Sequence, residues 1–122
     1  MKLEVGQFVR LKSGYICKII NINDFREPNM KYGVEANYLK DVMFIGDDDV
    51  VKASYNIIDL IQVGDYVNDY KVVDIIHNNR KLEPSTMAYC EYGSRYIGFY
   101  NESIKSVITH EQMEQMEYKM EE

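Results

Sequence analysis

The stretch from Asn56 to Ile76, NIIDLIQVGDYVNDYKVVDII, constrains the fold of this chain more than any other. It reads as a short apolar segment, a Gly-Asp turn, a strand, a two-residue turn and a second strand. A weaker copy opens the chain. Val5-Gly6-Gln7-Phe8-Val9 matches Val63-Gly64-Asp65-Tyr66-Val67 at an offset of 58. Lys18-Ile19-Ile20-Asn21-Ile22 matches Lys71-Val72-Val73-Asp74-Ile75 at an offset of 53, so the first copy has the longer turn. Two Val-Gly-x-aromatic-Val hairpins in one chain point to two SH3-like β units in tandem. Two unrelated hairpins of ordinary composition are the competing reading.

In both copies the strict alternation of a half-buried strand slips, at Ile20 and Ile22 and again at Val72-Val73 and Ile75-Ile76. Such a slip marks a bulge or a strong bend of the kind that turns a barrel corner, or else a strand buried on both faces. A chain of 122 residues is one domain or two very small units, and it can bury a core without disulfide staples. Cys17 and Cys90 stand far apart with no ligand residues beside them, and read as packed, reduced thiols.

Further strands are expected over Gln7 to Leu11 and Tyr15 to Asn23, over Gly33 to Ile45 and over Val50 to Ala53. The loop from Asp24 to Tyr32, with its Pro28-Asn29 turn signal, has a length that suits a binding loop. Asn56 to Ile61 reads as a helical turn or an irregular cover on the sheet. Thr86 to Tyr92 and Tyr96 to Tyr100 form a hairpin around Gly93-Ser94-Arg95, and Ser103 to Ile108 is a last strand. Thr109 with Gln112 makes a capping-box pattern that opens a helix over Thr109 to Lys119. Met113, Met116 and Met120 recur on one face of that helix, against the barrel or a partner subunit. The expected architecture is mainly β (α+β): an SH3-like β-barrel unit over 1–53, a second over 54–108, and a C-terminal α-helix over 109–122.

The net charge of −6 opposes binding to duplex DNA, which needs a basic footprint. No apolar run approaches a membrane span, and Lys2-Leu3-Glu4 passes into strand without a leader pattern, so a cytoplasmic protein is expected. Asp47-Asp48-Asp49 lacks the alternating ligands and closing Glu of a calcium loop; it reads as a solvated turn or an acidic contact surface. Neither His77 nor His110 lies in a sequence cluster of zinc spacing, and no phosphate loop or nucleophile elbow occurs. No cofactor or metal is expected, and no catalysis.

Tyrosine is abundant, with 11 Tyr against 4 Phe and no Trp. The hairpin holding Tyr89, Tyr92, Tyr96 and Tyr100, with Arg95 at its tip, is the most aromatic part of the chain. It reads as ordinary strand packing or as a surface that stacks a flat ligand such as a base. The Met-lined helix and this hairpin together lead us to expect a homo-oligomer.

The block Asn56 to Asn68, NIIDLIQVGDYVN, and the closing block Ile104 to Met113, IKSVITHEQM, followed by Met116-Glu117-Tyr118, carry a resemblance. They are similar to a broad group of small proteins of bacteriophages and prophages of Gram-positive (Firmicutes-type) bacteria. In that group an NIIDLIxxGDYVN block precedes an IKSIVTKEQFE…EY block. The opening VRLKSGYICKI also resembles that group's VRTKxGYIAKI start. His110 stands where Lys is usual, and Met113 where Phe is usual. The group brings no catalytic residues to carry over. The resemblance implies a phage accessory gene expressed in an infected bacterium, a setting in which such proteins often counter host defences. Two modes fit: blocking a defence protein, as anti-CRISPR proteins do, with Asp47, Asp48 and Asp49 meeting a basic channel, or sequestering a nucleotide immune signal at Tyr89, Tyr92, Arg95, Tyr96 and Tyr100. A virion structural or adaptor protein, or an SH3-like nucleic-acid module, is the alternative.

Overall fold

The computed structural model describes residues 2–36, 41–78 and 85–120; of residues 78 and 116–120 it describes the backbone alone. The chain is mainly β and divides into two compact units, Met1–Asn56 and Ile57–Glu122, with a helix at the end of the second.

In the first unit, β1 (Phe8–Leu11), β2 (Ile16–Ile22), β3 (Tyr32–Glu35), β4 (Met43–Ile45) and β5 (Val50–Ser54) form one antiparallel sheet in the order β4-β3-β2-β1-β5. A 3₁₀ turn, Asp47–Asp49, precedes the closing strand. In the second unit, β6 (Tyr66–Val67), β7 (Tyr70–Asn78), β8 (Ser85–Tyr92), β9 (Arg95–Tyr100) and β10 (Val107–Ile108) take the order β10-β6-β7-β8-β9. Here too a 3₁₀ turn, Asn101–Ser103, precedes the closing strand. In each unit three hairpin-linked pairings are followed by a fifth strand that returns to the first. That is the SH3-like order, present twice.

The sequence repeat is a repeat of hydrogen bonds. The Gly6 N–H donates to the Ile19 carbonyl, and the Ile19 N–H to the Gln7 carbonyl, both at 2.8 Å. At the matching positions, the Gly64 N–H donates to the Val72 carbonyl at 2.9 Å and the Val72 N–H to the Asp65 carbonyl at 2.7 Å. Gly6 and Gly64 hold φ of +97° and +99°, a region that penalises a Cβ. The slips at Ile20 and Val72-Val73 are bulges at matching positions, where the register shifts between Ile19 and Asn21 in β2 and between Val72 and Asp74 in β7, whereas Ile75-Ile76 pairs with Ala88 and Met87 in unbroken register. The residues next to each bulge, Ile19 and Val72, are fully buried, as are Val9 and Val67.

The first core gathers Leu3, Val9, Leu11, Cys17, Ile19, Tyr32, Val34, Ile45 and Val50. Buried apolar residues of the second unit are Ile58, Leu60, Ile61, Val67, Val72, Ala88 and Cys90. Ile58 and Leu60 come from a 3₁₀ turn, Ile57–Leu60, where a helical turn or irregular cover is expected.

Three expectations need correction. The long strand over Gly33 to Ile45 is two short ones, β3 and β4. The last strand is only Val107–Ile108, because the Asn68 side chain takes the backbone before it: its Oδ1 accepts the Lys105 and Ser106 N–H at 2.7 and 3.1 Å. The hairpin of β8 and β9 turns through Gly93 and Ser94 alone, so Arg95 belongs to β9 and pairs with Tyr92. Gly93, at φ +60°, fits the first central position of a two-residue hairpin turn.

The capping box forms as expected. The Thr109 N–H donates to Gln112 Oε1 at 3.0 Å, and the Gln112 N–H donates to Thr109 Oγ1 at 3.3 Å, opening α1 (His110–Met120).

Candidate binding face

Register decides which hairpin residues share a surface. Directly paired residues of antiparallel strands lie on one face, and neighbours along a strand alternate. Ala88 and Cys90 are buried, so β8 turns 88, 90 and 92 inward and 87, 89 and 91 outward. Pairing carries this across the sheet. Ile76, Met87 and Tyr100 form one outward row, Asp74, Tyr89 and Gly98 the next, and Glu91 with Tyr96 a third.

The five aromatic-hairpin residues therefore divide. Tyr89, Tyr96 and Tyr100 share the outer face. Tyr92 and Arg95 belong to the opposite side, at the tip. There Tyr92 packs on Tyr70, with ring centroids 5.4 Å apart and planes tilted by 57°, and Tyr70 stacks on Phe99 at 6.0 Å. On the outer face the Tyr89 and Tyr96 rings stack on each other at 5.1 Å and 18°. A base would have to part that pair, and the Arg95 guanidinium belongs to the other side of the sheet.

The outer face is open. Tyr96 is 58% exposed, Tyr100 47% and Ile76 36%, with Met87 and Tyr89 half-buried between them. Met87 lies over Gly98 so closely that a Cβ there would collide with its Sδ. Two carboxylates, Asp74 and Glu91, border this apolar centre.

Asp47, Asp48 and Asp49 are exposed, in the 3₁₀ turn before β5. Two of them have local tasks. The Tyr32 hydroxyl donates to Asp47 Oδ1 at 2.8 Å, and the Gly46 N–H to Asp49 Oδ2 at 2.9 Å. Burial, and then the Asp47 carboxylate, push the Tyr32 phenol above its ordinary pKa. Met113 is half-buried in α1, and the side chains of Met116 and Met120 lie outside the described residues.

One cluster has no signal in the sequence. Asp65, His110 and Glu111 bring one potential ligand atom each to within 4.8 Å of one another. The geometry is that of a helix cap. Fully buried Asp65 accepts the His110 N–H on Oδ1 at 2.9 Å and the Gln62 N–H on Oδ2 at 2.7 Å. His110 Nε2 lies 3.1 Å from Gln62 Oε1 and 3.2 Å from Glu111 Oε1. A cation there would meet the positive end of the helix dipole. Spacing alone could not reveal the group, because its members are 45 residues apart.

In the first unit Phe25 is fully exposed, in the loop whose length suits binding, and the Arg26 guanidinium stacks 4.4 Å above the Phe44 ring. No described helix is long and apolar enough to cross a membrane. No family model, curated protein or solved structure matches the chain.

Proposed function

We propose that this chain is a non-enzymatic phage accessory protein that counters bacterial antiviral defence by binding a defence protein, and that it binds through the outer face of β7, β8 and β9. One observation carries the binding part: an open sheet face with Ile76, Met87, Tyr89, Tyr96 and Tyr100 at its centre and two carboxylates at its border. Tyr is favoured at interface cores because it buries a large rigid ring and keeps a wet hydroxyl. The acidic border and the net charge of −6 select a partner with a basic rim, such as the nucleic-acid channel of a defence protein. The phage setting rests on the resemblance of the NIIDLIQVGDYVN and IKSVITHEQM blocks.

An open face whose Tyr89 and Tyr96 rings already stack on each other favours a macromolecular partner over a nucleotide signal, which would have to part that pair. The test is expression in cells carrying individual defence systems, scored by phage plaques. Rescue that is lost in Tyr89→Ala and Met87→Lys but kept in Arg95→Ala is the expected result. Rescue lost in Arg95→Ala, with binding of a signal nucleotide by the purified protein, would select sequestration instead. No rescue with any system, together with the protein in purified virions, would end the defence reading.

A further inference from the structure

We propose that β9 is a pairing edge, and that a second copy of this chain joins it in antiparallel register centred on Gly98, continuing the sheet across a twofold axis. This goes beyond the defence reading and does not depend on it.

Every open sheet leaves two edges, and natural proteins blunt them with brevity, charge, proline or a bulge. Among the described residues, three of the four edges are blunted. β4 has three residues, β10 has two, and β5 carries Lys52 in its middle. β9 is different. It runs six residues, RYIGFY, with no proline, no bulge and no charge except Arg95 at its first position.

Parity fixes what that edge offers. The two-residue turn makes Tyr92 and Arg95 the closing hydrogen-bonded pair, so Arg95, Ile97 and Phe99 point their N–H and C=O groups at β8. Tyr96, Gly98 and Tyr100 point theirs outward; among the described residues no strand pairs with that side of β9, and the Tyr100 carbonyl opens the Asn101–Ser103 turn. An antiparallel strand centred on Gly98 sets Tyr96 of each copy opposite Tyr100 of the other.

Self-pairing fits the chemistry of this strand. Its outward side chains are the same exposed tyrosines in both copies, and aromatic cross-strand pairs are favourable. No carboxylate lies on the strand, although the chain carries a net charge of −6. The register also directs Arg95 of one copy toward the Asn101–Ser103 turn of the other, which carries exposed Glu102. The paired sheets would present the outer face twice, side by side.

Cysteine cross-linking and light scattering test the register. In the proposed pair, residues 96 and 100 of opposite copies have Cα atoms roughly 5.5 Å apart, within disulfide reach. Two copies of residue 96 lie about 14 Å apart, beyond it. The double variant Tyr96→Cys/Tyr100→Cys should give a disulfide-linked dimer on mild oxidation, and either single variant should not. The unmodified protein should be a dimer at micromolar concentration, and Tyr96→Lys/Tyr100→Lys should be a folded monomer. A monomeric unmodified protein would overturn the proposal. So would a dimer that survives both lysines, or single cysteines that link as well as the pair.

Discussion

Asp65→Ala should damage the second unit far more than an ordinary turn substitution. The carboxylate is fully buried, and each oxygen accepts one backbone N–H: Oδ1 from His110, the first residue of α1, and Oδ2 from Gln62. Alanine leaves both donors, which are partly buried, without their acceptor, and an unpaired donor shielded from water costs about 1–3 kcal/mol. Two such losses amount to about 2–6 kcal/mol, against the ~5–15 kcal/mol that holds a whole domain together. The matching residue of the first unit is Gln7, whose Oε1 accepts the Glu4 N–H at 2.8 Å in an exposed setting. Water can replace that bond, so Gln7→Ala should cost about 1 kcal/mol or less. The assay is thermal and urea unfolding followed by circular dichroism, with hydrogen exchange locating the loss. Asp65→Ala should lower Tm by roughly 10–40 °C and deprotect the first amides of α1. Equal losses from Asp65→Ala and Gln7→Ala would refute the reasoning, because they would show that burial adds nothing to this cap.

Three further outcomes follow from the geometry. Gly46→Ala should destabilise the first unit by about 1–3 kcal/mol in the same assay, as overpacking does. Its Cβ would stand 2.5 Å from the Pro28 carbonyl oxygen and 2.7 Å from Asn29 Cα, both backbone atoms with little room to move. Burial pushes the Cys90 thiol up to about 11, and Cys17 is buried as well, so a thiol reagent at pH 8 should label neither in the folded protein and both in urea. Because the folded thiol holds its proton longer than the unfolded one, its contribution to stability is complete below pH 9 and disappears between pH 9 and about 11. An alkaline denaturation series comparing Cys90→Ala with the parent should show the difference shrink across that window.

The parts of the fold legible in the sequence were those encoded locally. The two Val-Gly-x-aromatic-Val blocks, the slips at Ile20 and Val73, the Asn68-Asp69 turn and the Thr109 capping box each involve residues within a few positions of one another. Asn68 and Asp69 take φ of +51° and +74°, as a tight two-residue hairpin turn requires. The parts that escaped depend on partners far along the chain. Asp65 reads as a turn residue until α1 arrives over it. Ser103 to Ile108 has strand composition, yet Asn68 takes the N–H groups of Lys105 and Ser106 and leaves two residues for the ladder. The division of the aromatic residues between the two faces was hidden for a smaller reason. Reading Gly93-Ser94-Arg95 as the turn, instead of Gly93-Ser94, shifts the pairing by one residue. A shift of one in a period of two moves side chains to the other face: the longer turn would set Tyr96 and Tyr100 with Tyr92, the two-residue turn sets them with Tyr89, and Tyr89 and Tyr92, three apart on β8, take opposite faces in either register.

The two units differ most where a barrel core asks least. Their first hairpins share two matching backbone bonds, the glycine φ and the bulge, and differ in the length of the turn. Their second hairpins do not. In the first unit β3 and β4 span four and three residues, whereas β8 and β9 span eight and six. The first-unit β3 turns Tyr32 and Val34 into the core. In β8 only Ala88 and Cys90 are buried, and none of β9 is. Extra strand that buries little gains ladder hydrogen bonds, each worth only about 1 kcal/mol net, and it exposes aromatic surface that a free monomer has no structural need to display. The same lengthening creates both the outer Tyr face and the bare β9 edge. A version with the second hairpin cut back to first-unit length should therefore keep its fold and lose partner binding and self-pairing together, whereas loss of the fold would show that the long hairpin serves the core.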